Sequence, residues 1–178
     1  MKYKMVTRRG QVAVVPCKQR QNTQVAPSTA DNINRINVDI LGLSETHVKQ
    51  DTPIFQLQIP GYILIQTFSL SRHTGGTAFY VRDTIRVQQM KLKLRNNMKI
   101  QRTWIKVESN VTTYIGVYYR SPSFYLQETV NIILDDLLNF RPLAGNVIVG
   151  GDFNVNWSVN TDKLLLMDTF AHVNLDQR

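Results

Sequence analysis

Short runs of β-branched and aromatic residues, separated by turn residues, dominate the chain from residue 38 onward. Val38–Leu43 and Asn146–Val149 are apolar at almost every position, which predicts strands that are buried on both faces. Residue types that favour strands are concentrated in five further runs. These predicted strands are Tyr62–Phe68, Thr77–Arg82, Thr84–Met90, Thr103–Glu108 and Val111–Tyr119.

After the predicted strand Val111–Tyr119, the apolar residues take the spacing of a helix. Apolar residues recur every three or four positions from 126 to 138, which predicts an amphipathic helix. Ser121 is the predicted cap of this helix and Pro122 its first residue. Thr161–Ala171 is predicted to form a second helix, and residues 32–37 a short one. The order of strands, helix, strand and helix indicates an α/β domain.

The composition fits one globular domain. The chain has 178 residues, of which 43% are hydrophobic and 19% charged. No apolar run approaches the roughly 18 residues of a membrane-spanning helix. Cys17 is the single cysteine, so no intramolecular disulfide is possible and a hydrophobic core must stabilise the fold. We therefore expect an intracellular protein without a membrane segment.

Positive charge is unevenly distributed within the net charge of +8. Residues 1–30 hold six of the 21 basic residues and none of the 13 acidic ones, which leaves 15 minus 13, or +2, for the remainder. We expect this segment to be a flexible tail or a degraded first strand. Residues 84–107 also lack acids and carry seven cations. These cations either meet phosphates or form a solvated hairpin surface.

Two of the predicted buried strands end in carboxylates. Glu45 follows Val38–Leu43, and Asp152 and Asn154 follow two glycines after Asn146–Val149. Carboxylates at such positions are costly unless they are paired or bind a cation. The alternatives are a solvated loop residue for Glu45 and an Asx turn for the other pair.

A third strand end carries a phenol and a guanidinium. Tyr118, Tyr119 and Arg120 close the strand that precedes the helix. Tyrosine hydroxyls and guanidinium groups both donate hydrogen bonds to phosphate oxygens, so Arg120 is a candidate phosphate contact. One of the two tyrosines is expected to pack in the core instead.

Four ordered motifs carry a family resemblance: LGLSET, GGTAFYVR, IGVYYRSPS and VGGDFNVNW. Over residues 33 to about 178 the chain resembles the apurinic-type endonuclease domain of non-LTR retrotransposons. That domain belongs to the DNase I-like endonuclease/exonuclease/phosphatase superfamily. The resemblance implies a four-layered α/β sandwich, with two mixed sheets face to face, helices outside, and the active site at one edge of the sandwich.

The resemblance also implies roles for individual residues. Glu45 matches the glutamate that binds Mg²⁺ (or Mn²⁺), and Asp152 matches the aspartate that orients the attacking water. Asn154 matches the asparagine that contacts the phosphate, and Tyr119 the tyrosine beside the developing charge. DNA is the implied substrate, a reverse transcriptase domain the implied companion in a full-length parent, and the nucleus the implied location.

The chain departs from the family pattern in two places. The family's first strand delivers an asparagine about 29 residues before the glutamate, a spacing taken from the resemblance, and counting back from Glu45 reaches Pro16. None of His47, His73 and His172 follows the Ser-Asp pair of the family's general base. We therefore expect a sandwich that is incomplete at the C-terminus and divergent at the N-terminus.

These departures leave three hypotheses. The first is a truncated, weakly active or inactive metal-dependent endonuclease domain, in which residues 1–30 form a basic N-terminal segment and residues 31–178 a partial catalytic domain. The second is a non-catalytic nucleic-acid-binding remnant, and the third a phosphatase or phosphodiesterase of the superfamily. In each case Glu45, Tyr119, Asp152 and Asn154 are predicted to converge at one edge of the sandwich.

Overall fold

The chain folds into two β-sheets and two α-helices over the described part of this computed structural model. The described residues are 4–6, 11–16, 38–71, 74–140, 145–156 and 158–172. The strands are β1 (Lys4–Val6), β2 (Gln11–Pro16), β3 (Ile40–Ser44), β4 (Tyr62–Thr67), β5 (Thr77–Arg82), β6 (Val87–Gln89), β7 (Ile100–Val107), β8 (Thr113–Arg120) and β9 (Asn146–Asp152). The helices are α1 (Leu126–Phe140) and α2 (Asn160–His172), and a 3₁₀ turn spans Ile54–Gln56.

The two sheets are mixed and pack face to face. The first has the strand order β1-β2-β3-β5-β4 and the second the order β6-β7-β8-β9. The pairs β2–β3 and β8–β9 are parallel, and the other pairs are antiparallel. Phe79 and Val81 of the first sheet share a buried cluster with Ile105, Ile115 and Val117 of the second. This α/β sandwich is the predicted fold.

Helix α1 covers the outer face of the second sheet. Its apolar residues Val130, Ile133 and Leu137 pack with Trp104 and Tyr118 in a buried cluster, which explains the helical spacing of the sequence. Helix α2 packs beside α1. In the described part of the chain, no helix combines the length and apolar character needed to cross a membrane.

The predicted start of α1 is wrong. The backbone N–H of Phe124 bonds to the carbonyl of Ser121 at 3.0 Å, so residues 121–124 form a separate turn and the helix begins at Leu126. Strand β5 has the predicted bounds, whereas β6 is shorter than predicted and β7 begins earlier. The helix predicted at residues 32–37 lies outside the described residues.

Strand β2 lies within the basic segment 1–30 and borders the strand that leads to Glu45. It pairs in parallel with β3, and Pro16 lies opposite Ser44. The position at which the resemblance calls for an asparagine is therefore occupied, at this strand end, by a side chain without a polar atom. The division of the chain at residue 30 stays a prediction.

Candidate active site

Three strand ends of the sandwich meet at one edge. Strands β8 and β9 run in parallel, and Tyr119 lies in register with Asp152. Strand β3 packs across both of them from the opposite sheet and ends at Ser44, directly before Glu45. The topology thus brings the three polar sequence motifs to the same edge.

Tyr119 lies within electrostatic reach of both carboxylates. Burial raises the pKa of Tyr119, a hydrogen bond with the Thr74 side chain opposes this, and the negative charges of Glu45 and Asp152 raise it further. The hydroxyl therefore keeps its proton at neutral pH and is available as a donor. Tyr118 points to the other face of the sheet and packs in the core, so the sequence expectation that one of the two tyrosines is structural holds.

Three hydrogen bonds fix Asn154. Its backbone N–H donates to Oδ1 of Asp152 at 3.0 Å, and its Nδ2 donates to the carbonyl of Arg120 at 2.6 Å. Its own carbonyl accepts from Nη1 of Arg120 at 3.0 Å. The residue has a φ of 46°, in the left-handed region that asparagine tolerates. The exposed side chain keeps one amide N–H for a ligand.

Glu45 has a strained backbone. Its φ is 58° and that of His47 is 54°, both in the left-handed region. The loop is held in this conformation by hydrogen bonds from the N–H of Thr46 to Gly76 (3.2 Å) and from the N–H of His47 to Gly75 (2.9 Å). Strain of this kind costs about 1–3 kcal/mol and persists where the surroundings enforce it. The observation marks the Glu45 loop as a candidate functional element.

Polar side chains between the two sheets hold Gly76, one of the two glycines to which the Glu45 loop is bonded. The sequence prediction did not include these side chains. The backbone N–H of Gly76 donates to Oε1 of Gln101 at 2.6 Å, and Thr77 and Thr103 are hydrogen-bonded through their hydroxyls at 2.7 Å. Ser44 Oγ and Gln101 Nε2 are buried and have no hydrogen-bond partner among the described residues. Positions 101 and 103 face the opposite sheet and position 102 faces α1, so the three consecutive polar residues at these positions gave no alternating signal in the sequence.

Gly151 allows β9 to approach β8 beside Asp152. Its φ is 139°, and a Cβ atom at this position would lie 2.0 Å from the carbonyl oxygen of Tyr118. Because that atom belongs to the backbone, no side-chain movement would relieve the contact. The glycine of the VGGDFN motif is therefore required for the geometry of the site.

Arg120 joins two loops of the site. Its Nη1 donates to the carbonyls of Phe153 (2.8 Å) and Asn154 (3.0 Å), and its Nη2 donates to the carbonyl of Phe124. Burial lowers the pKa of this guanidinium. Arg120 lies on the face of β8 opposite to Tyr119, and its observed bonds are structural. Its predicted contact with a substrate phosphate stays a prediction.

Replacing Arg120 by lysine should loosen both loops, because one ammonium cannot reproduce the planar fork that reaches Phe124 and Asn154 together. We expect a loss of about 1–3 kcal/mol in unfolding free energy and faster amide exchange at residues 121–125 and 153–156. Mass-spectrometric hydrogen exchange measures both loops. Arg82→Lys, in a half-exposed pair with Asp39, is the matched control and should cost at most about 1 kcal/mol. Unchanged exchange in Arg120→Lys would show that the guanidinium does not hold the loops.

The donor set at this edge fits a hard divalent cation. Glu45 and Asp152 offer carboxylate oxygens, and Mg²⁺ typically takes one or two carboxylates and completes its shell with water and substrate oxygens. Among the described residues, no group of three or more His, Cys, Asp or Glu side chains is placed to hold a metal by itself.

The chain belongs to the endonuclease/exonuclease/phosphatase family, whose model matches residues 21–174. The search of curated proteins gives no match. Among solved structures, the chain is similar to the endonuclease domain of TRAS1, a telomere-specific non-LTR retrotransposon. The TM-score is 0.65 at 17% sequence identity, over 91% of this chain and 71% of that one.

Two further solved structures share the fold. D. rerio TDP2, complexed with a single-strand DNA product, matches at a TM-score of 0.54 and 15% identity, over 83% of this chain and 56% of that one. A mannosyl-6-phosphatase of Bacteroides thetaiotaomicron matches at 0.62 and 13%, over 88% and 70%. At these identities the likenesses show the fold, and the substrate must be argued from the site.

Proposed function

We propose that the chain is a divalent-metal-dependent phosphodiesterase domain that nicks DNA, of the kind found in non-LTR retrotransposons. The observation that carries the proposal is the meeting of Glu45, Tyr119, Asp152 and Asn154 at one edge of the sandwich. The TRAS1 likeness and the four sequence motifs support the retrotransposon branch. Nuclear localisation, where such a protein meets its target DNA, is part of the proposal.

The residues divide the work of hydrolysis. Glu45 and Asp152 would hold Mg²⁺, which when bound neutralises phosphate charge and polarises the scissile bond. Asp152 uses Oδ1 to fix the N–H of Asn154, so its other oxygen is left to orient an attacking water. Asn154 donates its remaining amide N–H to a phosphate oxygen. Tyr119 is buried, and its hydroxyl would exchange its Thr74 partner for a phosphate oxygen.

Proton transfer is the weak step of this arrangement. The described side chains include one histidine, His47, and its imidazole makes no hydrogen bond to a described carboxylate. A positioned general base typically contributes about 10²–10⁴ to the rate. We therefore expect the 178-residue polypeptide to cleave slowly.

The experiment is a nicking assay on supercoiled plasmid, combined with Mn²⁺ binding followed by electron paramagnetic resonance. We expect slow, EDTA-sensitive nicking that falls at least about tenfold in Asp152→Asn, and weaker Mn²⁺ binding in Glu45→Gln. Asp51→Asn, an exposed acid in the loop after β3, is the control and should change neither measurement. Nicking by Asp152→Asn at the wild-type rate would contradict the proposal.

A non-catalytic nucleic-acid-binding domain is the second candidate. The absence of a carboxylate-held histidine among the described side chains favours it. Tight DNA binding without EDTA-sensitive nicking, at any metal concentration, would support this candidate over the first. Hydrolysis of a small phosphate ester, but not of plasmid, would instead support the phosphatase alternative. The Bacteroides mannosyl-6-phosphatase has a fold similar to that of this chain.

A further inference from the structure

A basic loop lies at the same edge of the sandwich as the candidate site. Residues 90–99 connect β6 to β7, and the first residue of β7, Ile100, pairs with Arg120 at the end of β8. The backbone N–H of Ser121 donates to the carbonyl of Lys99 at 2.7 Å. Because β7 and β9 are separated by β8 alone, the last residue of the loop, Lys99, lies about two strand spacings, or roughly 10 Å, from Asp152.

Alternation directs the cations of this loop outward. Met90 and Leu92 are partly buried against the hydrophobic cluster beneath α1. Lys91 and Lys93, which alternate with them, are exposed, and so is Arg95. Met90 and Leu92 thus anchor the start of the loop, and the cations that alternate with them face solvent.

Side-chain hydrogen bonds hold the loop in one shape. The amide of Asn96 accepts from the N–H of Arg102 and donates to the carbonyl of Arg102, both at 2.9 Å. Arg102 also donates through Nη2 to the carbonyl of Leu94 at 3.1 Å. Asn97 Oδ1 accepts from the N–H of Lys99 at 2.8 Å. A loop fixed in this way loses little conformational entropy when it binds a ligand.

Internal ion pairs use three of the seven cations between residues 84 and 107. They are Lys93 with Asp135, Arg102 with Asp136, and Lys106 with Glu108. Three other cations of this loop, Lys91, Arg95 and Lys99, are exposed and form no ion pair with a described carboxylate. We call these three residues the basic rim. Lys99 is the one next to the strand ends that carry the site. The seventh cation, Arg86, lies at the far edge, where its carbonyl accepts from the N–H of Glu108.

We propose that the basic rim binds the phosphate backbone of a DNA strand next to the scissile phosphate. The inference rests on the proposed function and specifies its substrate as a polymer. Successive phosphates of one strand advance about 3.4 Å along the duplex axis, so the roughly 10 Å from Lys99 to Asp152 corresponds to about three nucleotides, and Arg95 and Lys91 lie further along the strand's path. A small phosphate ester at the site would not reach the rim, whereas a DNA strand contacts both.

The test compares two double variants that remove the same charge from opposite edges. Arg95→Gln/Lys99→Gln removes two cations of the basic rim, and Arg86→Gln/Lys106→Gln removes two at the far edge of the same strands. Binding of a fluorescein-labelled 20-base-pair duplex is followed by anisotropy in EDTA, between about 50 and 200 mM salt. EDTA removes the divalent metal, so the duplex is not cleaved during the measurement. The binding result therefore does not depend on whether the proposed catalysis is correct.

We expect the rim variant to bind roughly tenfold or more weakly at 50 mM salt, and its salt slope to fall by about one per lost phosphate contact. The far-edge variant should bind like wild type. Equal weakening of both variants would overturn the proposal, because it would mean that net charge alone attracts the DNA. Absence of binding by the wild-type chain would overturn it as well.

Discussion

Replacing Asp136 by alanine is expected to lower the free energy of unfolding by about 3–5 kcal/mol. Asp136 lies on α1 and is 1% exposed, and Oδ2 accepts from Nε of the fully buried Arg102 at 2.5 Å. The hydroxyl of Tyr118 donates to the same oxygen at 2.7 Å and accepts from Nε1 of Trp104 at 3.0 Å. The variant leaves a buried guanidinium without its counter-charge and a buried hydroxyl without its acceptor.

Denaturant unfolding measures this prediction, and the chain offers a neighbour as control. Asp135 pairs with the exposed Lys93 at 3.6 Å, so Asp135→Ala should cost at most about 1 kcal/mol. The double variant Arg102→Met/Asp136→Leu should recover most of the lost stability, because it removes both charges together. Equal effects of Asp135→Ala and Asp136→Ala would show that burial of the pair does not decide its energy.

The buried pair of Arg102 and Asp136 also contacts the loop that carries the basic rim. Arg102 is bonded to Asp136 of α1 on one side and to Asn96 and Leu94 of the basic loop on the other. One side chain thus fixes both the helix and the loop that presents the basic rim. We expect Asp136→Ala to weaken DNA binding even under conditions in which it remains folded.

Local patterns were sufficient to predict the strand ends and their chemistry. Consecutive apolar residues mark the buried strands, and the polar residue that follows each of them, such as Glu45 or Asp152, lies where parallel strands end together. The adjacency of Tyr119 and Asp152 depends on register, which buried strands of this kind specify strongly. Local patterns therefore predicted the strands, and the resemblance supplied the sandwich, which the structure shows; the roles of the site residues stay predictions.

Interactions between distant residues were not predictable in the same way. The buried ion pair of Arg102 is one example, because its partner Asp136 lies 34 positions along the chain and nothing in the sequence joins the two residues. The bonds of Arg120 were unpredictable for a related reason, since its partners are backbone carbonyls of loops whose course is set by the fold. The predicted helix cap at Ser121 was overridden by a turn that the Arg120 bond to Phe124 helps to hold.

Replacing Gly151 by alanine should be the most damaging change at the site itself. The Cβ would lie 2.0 Å from the Tyr118 carbonyl oxygen, and the φ of 139° is strained for any residue with a side chain. Strain and overpacking together should cost about 3–5 kcal/mol. Because the clash separates β9 from β8 directly before Asp152, Mn²⁺ binding should fall together with stability.

Gly61→Ala is the control that separates the steric clash expected in Gly151→Ala from the backbone strain of a positive φ. Gly61 also has a positive φ, 79°, but no atom of a described residue other than its two chain neighbours lies within 4 Å of its Cβ position. The substitution therefore introduces backbone strain alone and should cost about 1 kcal/mol, with Mn²⁺ binding unchanged. If Gly151→Ala unfolds at the same denaturant concentration as Gly61→Ala, the close approach of β9 to β8 is not what positions Asp152. A larger loss of stability and of Mn²⁺ binding in Gly151→Ala alone would show that the absence of a side chain at Gly151 positions Asp152. Both variants add the same methyl group at a residue with a positive φ, so the strain is common to both.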